Sequence, residues 1–333
     1  STRARLPHYS DACRVAESMI MPLFSVQSFL LSALPVVLST TSLSAEPFEI
    51  RDREGFEREM VAHVATVPDG WKSKGRIAWN KPCSSNDLYE TLFLTQSPNG
   101  GYGARIMPGY QFFKDQAQLA PGYPPDPMLN MMLAQSEAMN QSMATEFRGS
   151  NCGVGQLTGT QDILNRLILP NRPHGAKIQR SQANQAELNM LKQTFGVGMS
   201  GVSISYDSQI IDLTYLLNSV PTTERLYLSW YNFTQEPMDM GGVIASNSHL
   251  IVEPLRFVWA PSQNASQAIP KLENVISSIK TNPDWQKRVN RVREEINKQG
   301  NKDRIRRDAD NDRRHKEFIE TIVGTPTSSS VSG

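Results

Sequence analysis

Short apolar and alternating runs, separated by turn residues, recur along the chain from residue 61 onward. The run at 61–67 stops at the turn 68–70 (Pro-Asp-Gly), and the run at 88–95 stops at 97–101 (Ser-Pro-Asn-Gly-Gly). Asn-Gly between apolar runs is a strong hairpin signal, because both central positions of the favoured turn need a positive φ. The same patterns predict further strands at 76–80, 102–107, 202–206, 210–217, 225–233 and 250–259.

Four segments show the spacing of helices. The first follows the proline-rich loop at 121–127, and its apolar positions fall on one face at spacings of four and seven: Met128, Met132, Met139, Met143 and Phe147. The others are at 160–169, 185–195 and 265–281, and the last of these carries an apolar stripe suited to covering a sheet. Strands outnumber helices and their connections are short, so the sequence predicts an α+β fold, an antiparallel sheet flanked by helices.

The run from Ser18 to Ala45 contains no charged residue and has an apolar centre. Its ending, 42–45 (Ser-Leu-Ser-Ala), puts small residues where signal peptidase cleaves, and Glu46 follows at once. This pattern predicts a signal peptide over 1–45 and bacterial export, so that the protein is periplasmic or secreted. An uncleaved signal anchor is the alternative, and it would be the protein's one contact with a membrane, although the prolines and serines in the run suit a permanent membrane helix poorly. A buried core helix is the other alternative.

Export changes what the cysteines predict. Cys13 would be lost with the signal peptide, which leaves Cys83 and Cys152. An even pair in an oxidising compartment predicts a disulfide, which would close a loop of about seventy residues and stabilise the fold by roughly 4 kcal/mol in the chain-entropy model. Two unpaired buried thiols are the alternative, because the sequence does not show whether the two Cβ atoms approach each other.

The composition changes near the C-terminal end. Residues 284–322 contain 12 Lys+Arg and 9 Asp+Glu, with a thin apolar stripe at first and almost none later. This pattern predicts a globular domain at 46–283, a charged, solvated helix at 284–323 and a disordered tail at 324–333. The domain is further divided into two groups of strands, 46–120 and 200–283, around a helical insertion. The charged helix is the expected contact with a partner, another envelope protein.

Composition and charge exclude several classes of protein. The chain has 333 residues and a formal net charge of +1, and its mean hydropathy is −0.41. A polytopic membrane protein would be far more apolar, and a dedicated nucleic-acid binder would carry a clear basic excess. No specific nucleic acid is therefore expected as a partner, and no cofactor is indicated.

Candidate chemistry is sparse, and no catalytic motif is present. His174 and Asp207 are the best acid–base candidates, because both lie at predicted loops, and with them an envelope hydrolase is an alternative function. A second alternative is a copper-binding protein, because pairs of thioethers one helical turn apart suit Cu(I); these are Met128, Met132, Met139 and Met143. Methionines that simply fill an apolar stripe would show the same spacing. No pair of histidines has the spacing of metal ligands.

The layout of turns and strand ends resembles known proteins. The segments that carry the resemblance are 67–71 (Val-Pro-Asp-Gly-Trp), 97–101, 257–261 (Phe-Val-Trp-Ala-Pro), 276–279 (Ile-Ser-Ser-Ile) and 282–285 (Asn-Pro-Asp-Trp). They resemble uncharacterised secreted bacterial proteins, and the layout over 61–285 also resembles the PsbP-like superfamily of small α+β modules. That resemblance implies a role in binding or assembly rather than catalysis, and it identifies no functional residue. The sequence therefore favours an exported, non-enzymatic binding or assembly protein.

Overall fold

Two β-sheets contain the strands of the residues that the structure, a computed structural model, describes: 44–79, 88–124, 126–148, 150–196, 200–239 and 242–299. The smaller sheet has three antiparallel strands in the order β1 (Ala45–Asp52), β2 (Met60–Pro68) and β14 (Lys280–Thr281). Nearly all of the predicted signal peptide, Cys83 and everything after residue 299 lie outside the described residues.

The larger sheet has 11 strands and is built around β10 (Val220–Gln235). One edge of β10 pairs along its whole length with β9 (Val202–Leu217). Its other edge pairs first with β13 (Leu255–Pro261) and then with β12 (Val243–Val252). The other strands are β3 (Lys72–Trp79), β4 (Tyr89–Gln96), β5 (Gly103–Met107), β6 (Tyr110–Leu119), β7 (Cys152–Val154), β8 (Lys177–Ala183) and β11 (Met238–Asp239).

The predicted α+β fold with an antiparallel, helix-flanked sheet is wrong. The described chain is mostly β, and its larger sheet is curled and mixed. The order is β3-β4-β5-β13-β10-β12-β6-β7, with β8 on β9 and β11 on β12; β6 and β7 run parallel and the other pairs are antiparallel. Both predicted groups contribute strands to this larger sheet, and both also contribute strands to the smaller one. Strands β7 and β8 come from the segment predicted as a helical insertion. The sequence did not predict them, because their short runs show no clear alternation of apolar and polar residues.

Five α-helices occur in the described residues, and the helices predicted at 128–147 and 185–195 are confirmed. They are α1 (Pro127–Glu146), α2 (Thr160–Ile163), α3 (Gln185–Phe195), α4 (Ala265–Ser277) and α5 (Pro283–Gln299). The short α2 continues as a π-helix at Leu164–Ile168 and a 3-10 turn at Leu169–Asn171. The side chain of Asp126 caps α1 by accepting hydrogen bonds from the amides of Met128 and Leu129.

The two faces of the larger sheet are covered by different parts of the chain. One face, the plug face, packs against residues 157–172, the plug segment, which contains α2, the π-helix and the 3-10 turn. The plug segment contributes Leu157, Ile163, Leu164 and Ile168 to this core. The sheet contributes Met107, Ile211, Leu213, Leu226, Leu228, Trp230, Leu250, Val252, Leu255 and Phe257.

The opposite face of the sheet, the helix face, packs against α3, α4 and the smaller sheet. The start of α5 belongs to the same core, because Trp285 and Val289 are both 0% exposed. Trp285 donates a hydrogen bond of 2.7 Å to the buried carboxylate of Asp52, which also accepts one of 2.9 Å from Trp79. The helix predicted as solvated from residue 284 therefore begins with buried side chains that fasten it to β1 and β3.

Candidate binding site on the plug face

The plug face contains charged side chains within its apolar core. Successive side chains of a strand point to opposite faces, so Glu224 lies in line with Leu226 and Leu228 of β10. Arg105 of β5 lies on the same face, because Phe257 of β13 is the register partner of both Arg105 and Leu226. Arg172 reaches this point from the end of the plug segment. Their side chains are 1%, 10% and 3% exposed, respectively.

One carboxylate accepts hydrogen bonds from three donors at this site. Nη2 of Arg105 lies 3.1 Å from Oε2 of Glu224, and Nε of Arg172 lies 2.5 Å from Oε1. The hydroxyl of Tyr215 donates to Oε2 over 3.1 Å. Hydrogen bonds to an ionised group are the strong ones, so Glu224 holds β5, β9 and the plug segment together.

Both guanidinium groups also stack on one aromatic ring. Cζ of Arg105 lies 4.6 Å and Cζ of Arg172 lies 4.3 Å from the ring centroid of Phe257, which is 0% exposed. Arg105 also lies 5.7 Å from the ring of Trp259. A cation over an aromatic face is attracted more strongly where water is excluded, so these contacts stabilise the buried charges.

Each of the two arginines nevertheless keeps a buried N–H group without a hydrogen-bond partner among the described residues. These groups are Nε of Arg105 and Nη2 of Arg172. A buried donor that makes no hydrogen bond costs about 1–3 kcal/mol, and more on a charged group. The two guanidinium groups therefore have unused capacity to donate hydrogen bonds.

The wider site carries more positive than negative side chains. The register β3-β4-β5 places Arg76 and Glu90 on the plug face as well, since Arg76 faces Leu92 and Leu94 faces Arg105. Both of these side chains take part in interactions of their own. Three arginines and two glutamates thus share this part of the face.

The pKa values at the site shift as burial predicts. Burial, followed by the positive charge of Arg172, lowers the pKa of Arg105 to about 10, against the opposing effect of Glu224. Burial and the nearby carboxylate of Glu224 raise the pKa of Tyr215, and burial raises the pKa of Tyr110. Burial is the largest cause of each shift, because it disfavours the charged form of the group.

A glycine makes room for the aromatic wall of the site. A Cβ atom on Gly103 would lie 2.1 Å from the ring of Trp259, so any larger residue would displace that ring. The indole Nε1 of Trp259 donates to the carbonyl of Gly100 over 3.0 Å, which fixes the ring in this position. The hairpin at 97–101 therefore orients the wall beside Arg105.

The other end of the plug segment is fastened through Asp207, one of the predicted acid–base residues. Its Oδ2 accepts a hydrogen bond of 2.7 Å from Thr160, whose hydroxyl accepts one of 2.9 Å from the indole of Trp230. The loop predicted around Asp207 is wrong, because β9 continues through it from Val202 to Leu217. Buried Ser208 of β9 hydrogen-bonds Ser229 of β10 over 2.8 Å, so polar side chains pair here across two neighbouring strands.

The remaining predicted site residues do not gather around Asp207. His174 is exposed in the turn that ends at Gly175, which has a φ of 84°. No hydrogen bond between described residues joins His174 to Asp207. The hydrolase based on this pair stays a prediction.

The cysteine and methionine candidates lie elsewhere. Cys152 is buried as the first residue of β7, and Cys83 lies outside the described residues, so the disulfide stays a prediction. On α1, Met128 is 68% and Met139 is 40% exposed, whereas Met132 and Met143 are half-buried. The four thioethers lie on one face of α1, at spacings of four, seven and four residues, and the copper site stays a prediction.

The described residues contain neither a cluster of metal-binding side chains nor a helix that could span a membrane. Within the ranges given above, three or more His, Cys, Asp or Glu side chains nowhere come together in a group that could hold a metal ion. In the same part of the chain, every helix is too short or too polar to span a bilayer.

Sequence reasoning missed Arg105, Arg172 and Glu224. Only Glu224 has a visible signal: it falls on the alternating positions of β10 that otherwise hold Leu226, Leu228 and Trp230. A charge in the buried register of a strand indicates a partner of opposite charge inside the fold. The sequence does not show that this partner comes from two distant segments.

Comparison with known proteins identifies no family. No protein-family model and no curated protein matches the chain. A solved structure that matches is that of LpqN, which is involved in cell envelope biogenesis of Mycobacterium tuberculosis, with 11% identity over 72% of this chain and 92% of that chain. The TM-score is 0.17, which carries no argument about fold or function. The resemblance to the PsbP-like superfamily gains no support from these comparisons.

Proposed function

We propose that this protein is an exported, non-enzymatic binding protein that receives its ligand on the plug face, beside Arg105 and Arg172. The proposal of export rests on the uncharged, apolar run from Ser18 to Ala45 and its small-residue ending. The proposal of binding rests on the site between β5, β10 and the plug segment.

The observation that carries the proposal is the pair of buried guanidinium groups with unused donors. Interiors satisfy nearly all their polar groups, so two unsatisfied donors on adjacent buried cations need an explanation. A ligand that accepts hydrogen bonds from both arginines supplies one. Without it, the site holds two costly defects in the middle of the core.

Binding suits the titratable groups of the described chain better than catalysis does. A general base works best with a pKa near the working pH. Burial lowers the pKa of His63 and of His249 to about 4, and Asp207 is engaged with Thr160. Glu224 accepts hydrogen bonds from Arg105, Arg172 and Tyr215, so its carboxylate is engaged within the protein.

The plug segment gives the proposed site a route of entry. Apolar side chains in the middle of the plug segment pack against the sheet. Its hydrogen bonds to the sheet include those of Thr160 near one end and of Arg172 at the other. A π-helix such as the one in this segment is rare and often occurs at functional sites. Displacement of the plug segment from the Arg172 end would admit a ligand to the arginine pair.

The test is native mass spectrometry of the full chain recovered from the envelope of its own host. We expect the wild-type protein to retain a bound molecule that is lost in Arg172→Met. Arg225→Met is the matched control, because Arg225 adjoins Glu224 in β10 but lies on the helix face, and we expect it to retain the molecule. Recovery of the wild-type protein free of any ligand, with no ligand-dependent stabilisation by host extracts, would refute the function.

A further inference from the structure

We propose that the group bound between Arg105 and Arg172 is an oxyanion, either a carboxylate or a phosphate, and this inference rests on the binding function proposed above. It names the chemical class of the ligand, which the binding function alone leaves open. Three independent features of the site lead to it: the donors that remain unused, the balance of charge and the shape of the arginine pair.

The unused donors match an oxyanion. Each arginine donates one hydrogen bond to Glu224, and each keeps another N–H group buried and unpartnered, Nε on Arg105 and Nη2 on Arg172. A guanidinium donates hydrogen bonds and accepts none, so the missing partner must supply lone pairs. Carboxylates and phosphates supply at least two acceptor oxygens, one for each arginine, and form shorter and stronger bonds with guanidinium than neutral acceptors do.

The charge of the site favours an anion over a neutral acceptor. Arg105 and Arg172 share the single carboxylate of Glu224, so two cations contact one anion at this point. After burial, the positive charge of Arg172 is the next cause that lowers the pKa of Arg105, and Glu224 opposes it. An anionic ligand would supply a second negative charge beside the two arginines, whereas a neutral ligand would leave them with one carboxylate between them.

The arrangement of the arginines is fixed before any ligand arrives. Phe257 holds both guanidinium groups against its ring, and the hydrogen bonds to Glu224 fix one edge of each group. Side chains that are already ordered lose little further entropy on binding, so the site is preorganised. The same packing excludes water, which strengthens each charge-assisted hydrogen bond to the anion.

The first experiment measures thermal unfolding of the full chain against added anions at constant ionic strength, with chloride as the balancing salt. Inorganic phosphate and acetate test free ions, and decyl phosphate and decanoate test the same groups on an apolar tail. We expect a saturable rise in Tm with at least one probe. Arg105→Met and Arg172→Met should weaken the apparent affinity at least tenfold, and Arg225→Met should leave it unchanged.

A second variant separates an anion site from a purely structural cluster. Glu224→Gln removes the carboxylate that competes for both arginines while keeping an acceptor of similar shape. We expect this variant to unfold more easily than the wild type without anion, but to bind the anion at least tenfold more tightly. A structural cluster would give the loss of stability alone, with no added response to anion. Should the methionine variants fail to fold, Arg105→Lys and Arg172→Lys replace them.

The outcomes separate this inference from the binding function. Equal stabilisation of the wild type, the arginine variants and the control would show that anions act elsewhere on the surface, and would overturn the inference. A co-purifying ligand without any acidic group would overturn the inference while supporting the function. Absence of both a ligand and a saturable response would overturn both. Binding of decyl phosphate or decanoate alone would indicate that the ligand is an amphiphile whose headgroup enters the site. Binding of free phosphate or acetate would indicate that the ligand is a small ion.

Discussion

Glu224 and Arg225 are neighbours in β10, and they belong to two ionic clusters on opposite faces of the same sheet. On the plug face, Glu224 is 1% exposed and is shared by two arginines. On the helix face, Arg225 is 24% exposed and is shared by two carboxylates, 2.8 Å from Asp212 and 3.1 Å from Glu273. Tyr227 also donates a hydrogen bond to Glu273.

The two clusters show how water decides the role of an ion pair. Solvent screens the helix-face cluster, so a surplus carboxylate there costs little, and the cluster fastens α4 to β9 and β10. The plug-face cluster has no such screening, and its surplus cation and unused donors stay buried. Of the two clusters, only the one on the plug face therefore has excess charge shielded from water, and this contrast ranks the predictions that follow.

The largest expected effect is that of Glu224→Gln on stability without added anion. The change leaves two buried guanidinium groups without their counter-ion, and breaking a buried pair in this way costs about 3–5 kcal/mol. Urea denaturation followed by circular dichroism measures the free energy of unfolding. A loss below about 1 kcal/mol would show that the plug-face cluster is screened like an exposed pair, and the contrast between the faces would fail.

The next largest effect is expected from acidification, which should lower stability through buried His249 but not through exposed His174. The pKa of His249, lowered to about 4 by burial, lies below the ordinary value of about 6.5. The unfolded chain therefore binds more protons between these values, so stability is full above pH 6.5 and falls as the pH drops towards 4, by about 3 kcal/mol. His249→Gln should flatten the pH dependence of the unfolding free energy relative to the wild type.

The matched control for that change is His174→Gln, because His174 is exposed in a turn. Carboxylates also titrate in this range, but they do so equally in wild type and variant, so the difference between the two curves isolates the histidine. His249 stacks on Phe113, with ring centroids 4.1 Å apart, and bonds Gln111 over 2.9 Å. Equal slopes for the wild type and His249→Gln would contradict the effect assigned to burial.

A smaller loss of stability is expected from Gly103→Ala, which tests the packing of the plug face and changes no charge. The new methyl group would meet the ring of Trp259 in a water-free wall, and overpacking of this kind costs about 1–3 kcal/mol. Near-ultraviolet circular dichroism should report the displaced indole, and denaturation the lost stability. Gly101→Ala is the control, because its nearest contact would be an ordinary 3.4 Å to Asn99. Equal effects of the two substitutions would contradict the close packing of the Trp259 ring against Gly103.

The sequence predicted many elements correctly and the fold incorrectly, for a physical reason. Local alternation and turn chemistry identify β4, β5 and α3, because those signals depend on neighbouring residues. The pairing of β10 with three partners depends on contacts between distant segments, which leave no local pattern. The run 250–259 likewise reads as one strand but is two, since the break at Glu253-Pro254 turns β12 away from β13.

The candidate site was less predictable than the fold, because its parts are single residues. Arg105, Arg172 and Glu224 come from β5, the plug segment and β10. The residues next to them in the sequence form no shared motif that would indicate a common site. Asp207 and His174 drew attention because they lie near predicted turns. Position near a turn indicates exposure, but only the folded chain shows which charges share a buried space.

The smallest expected effect is that of Arg225→Met, and it is the closest test of the comparison, because the substitution is one residue away from Glu224. Its side chain and those of Asp212 and Glu273 are 17–29% exposed, so water can solvate the carboxylates that lose their partner. We expect a loss of about 1 kcal/mol in the free energy of unfolding, and less at high salt. Met keeps the aliphatic packing of the arginine stem, so the change reports charge and hydrogen bonding. A loss as large as that of Glu224→Gln would mean that the position of β10 at the centre of the sheet, and not exclusion of water, sets the strength of both clusters. The surplus charge beside Arg105 would then say nothing about a ligand.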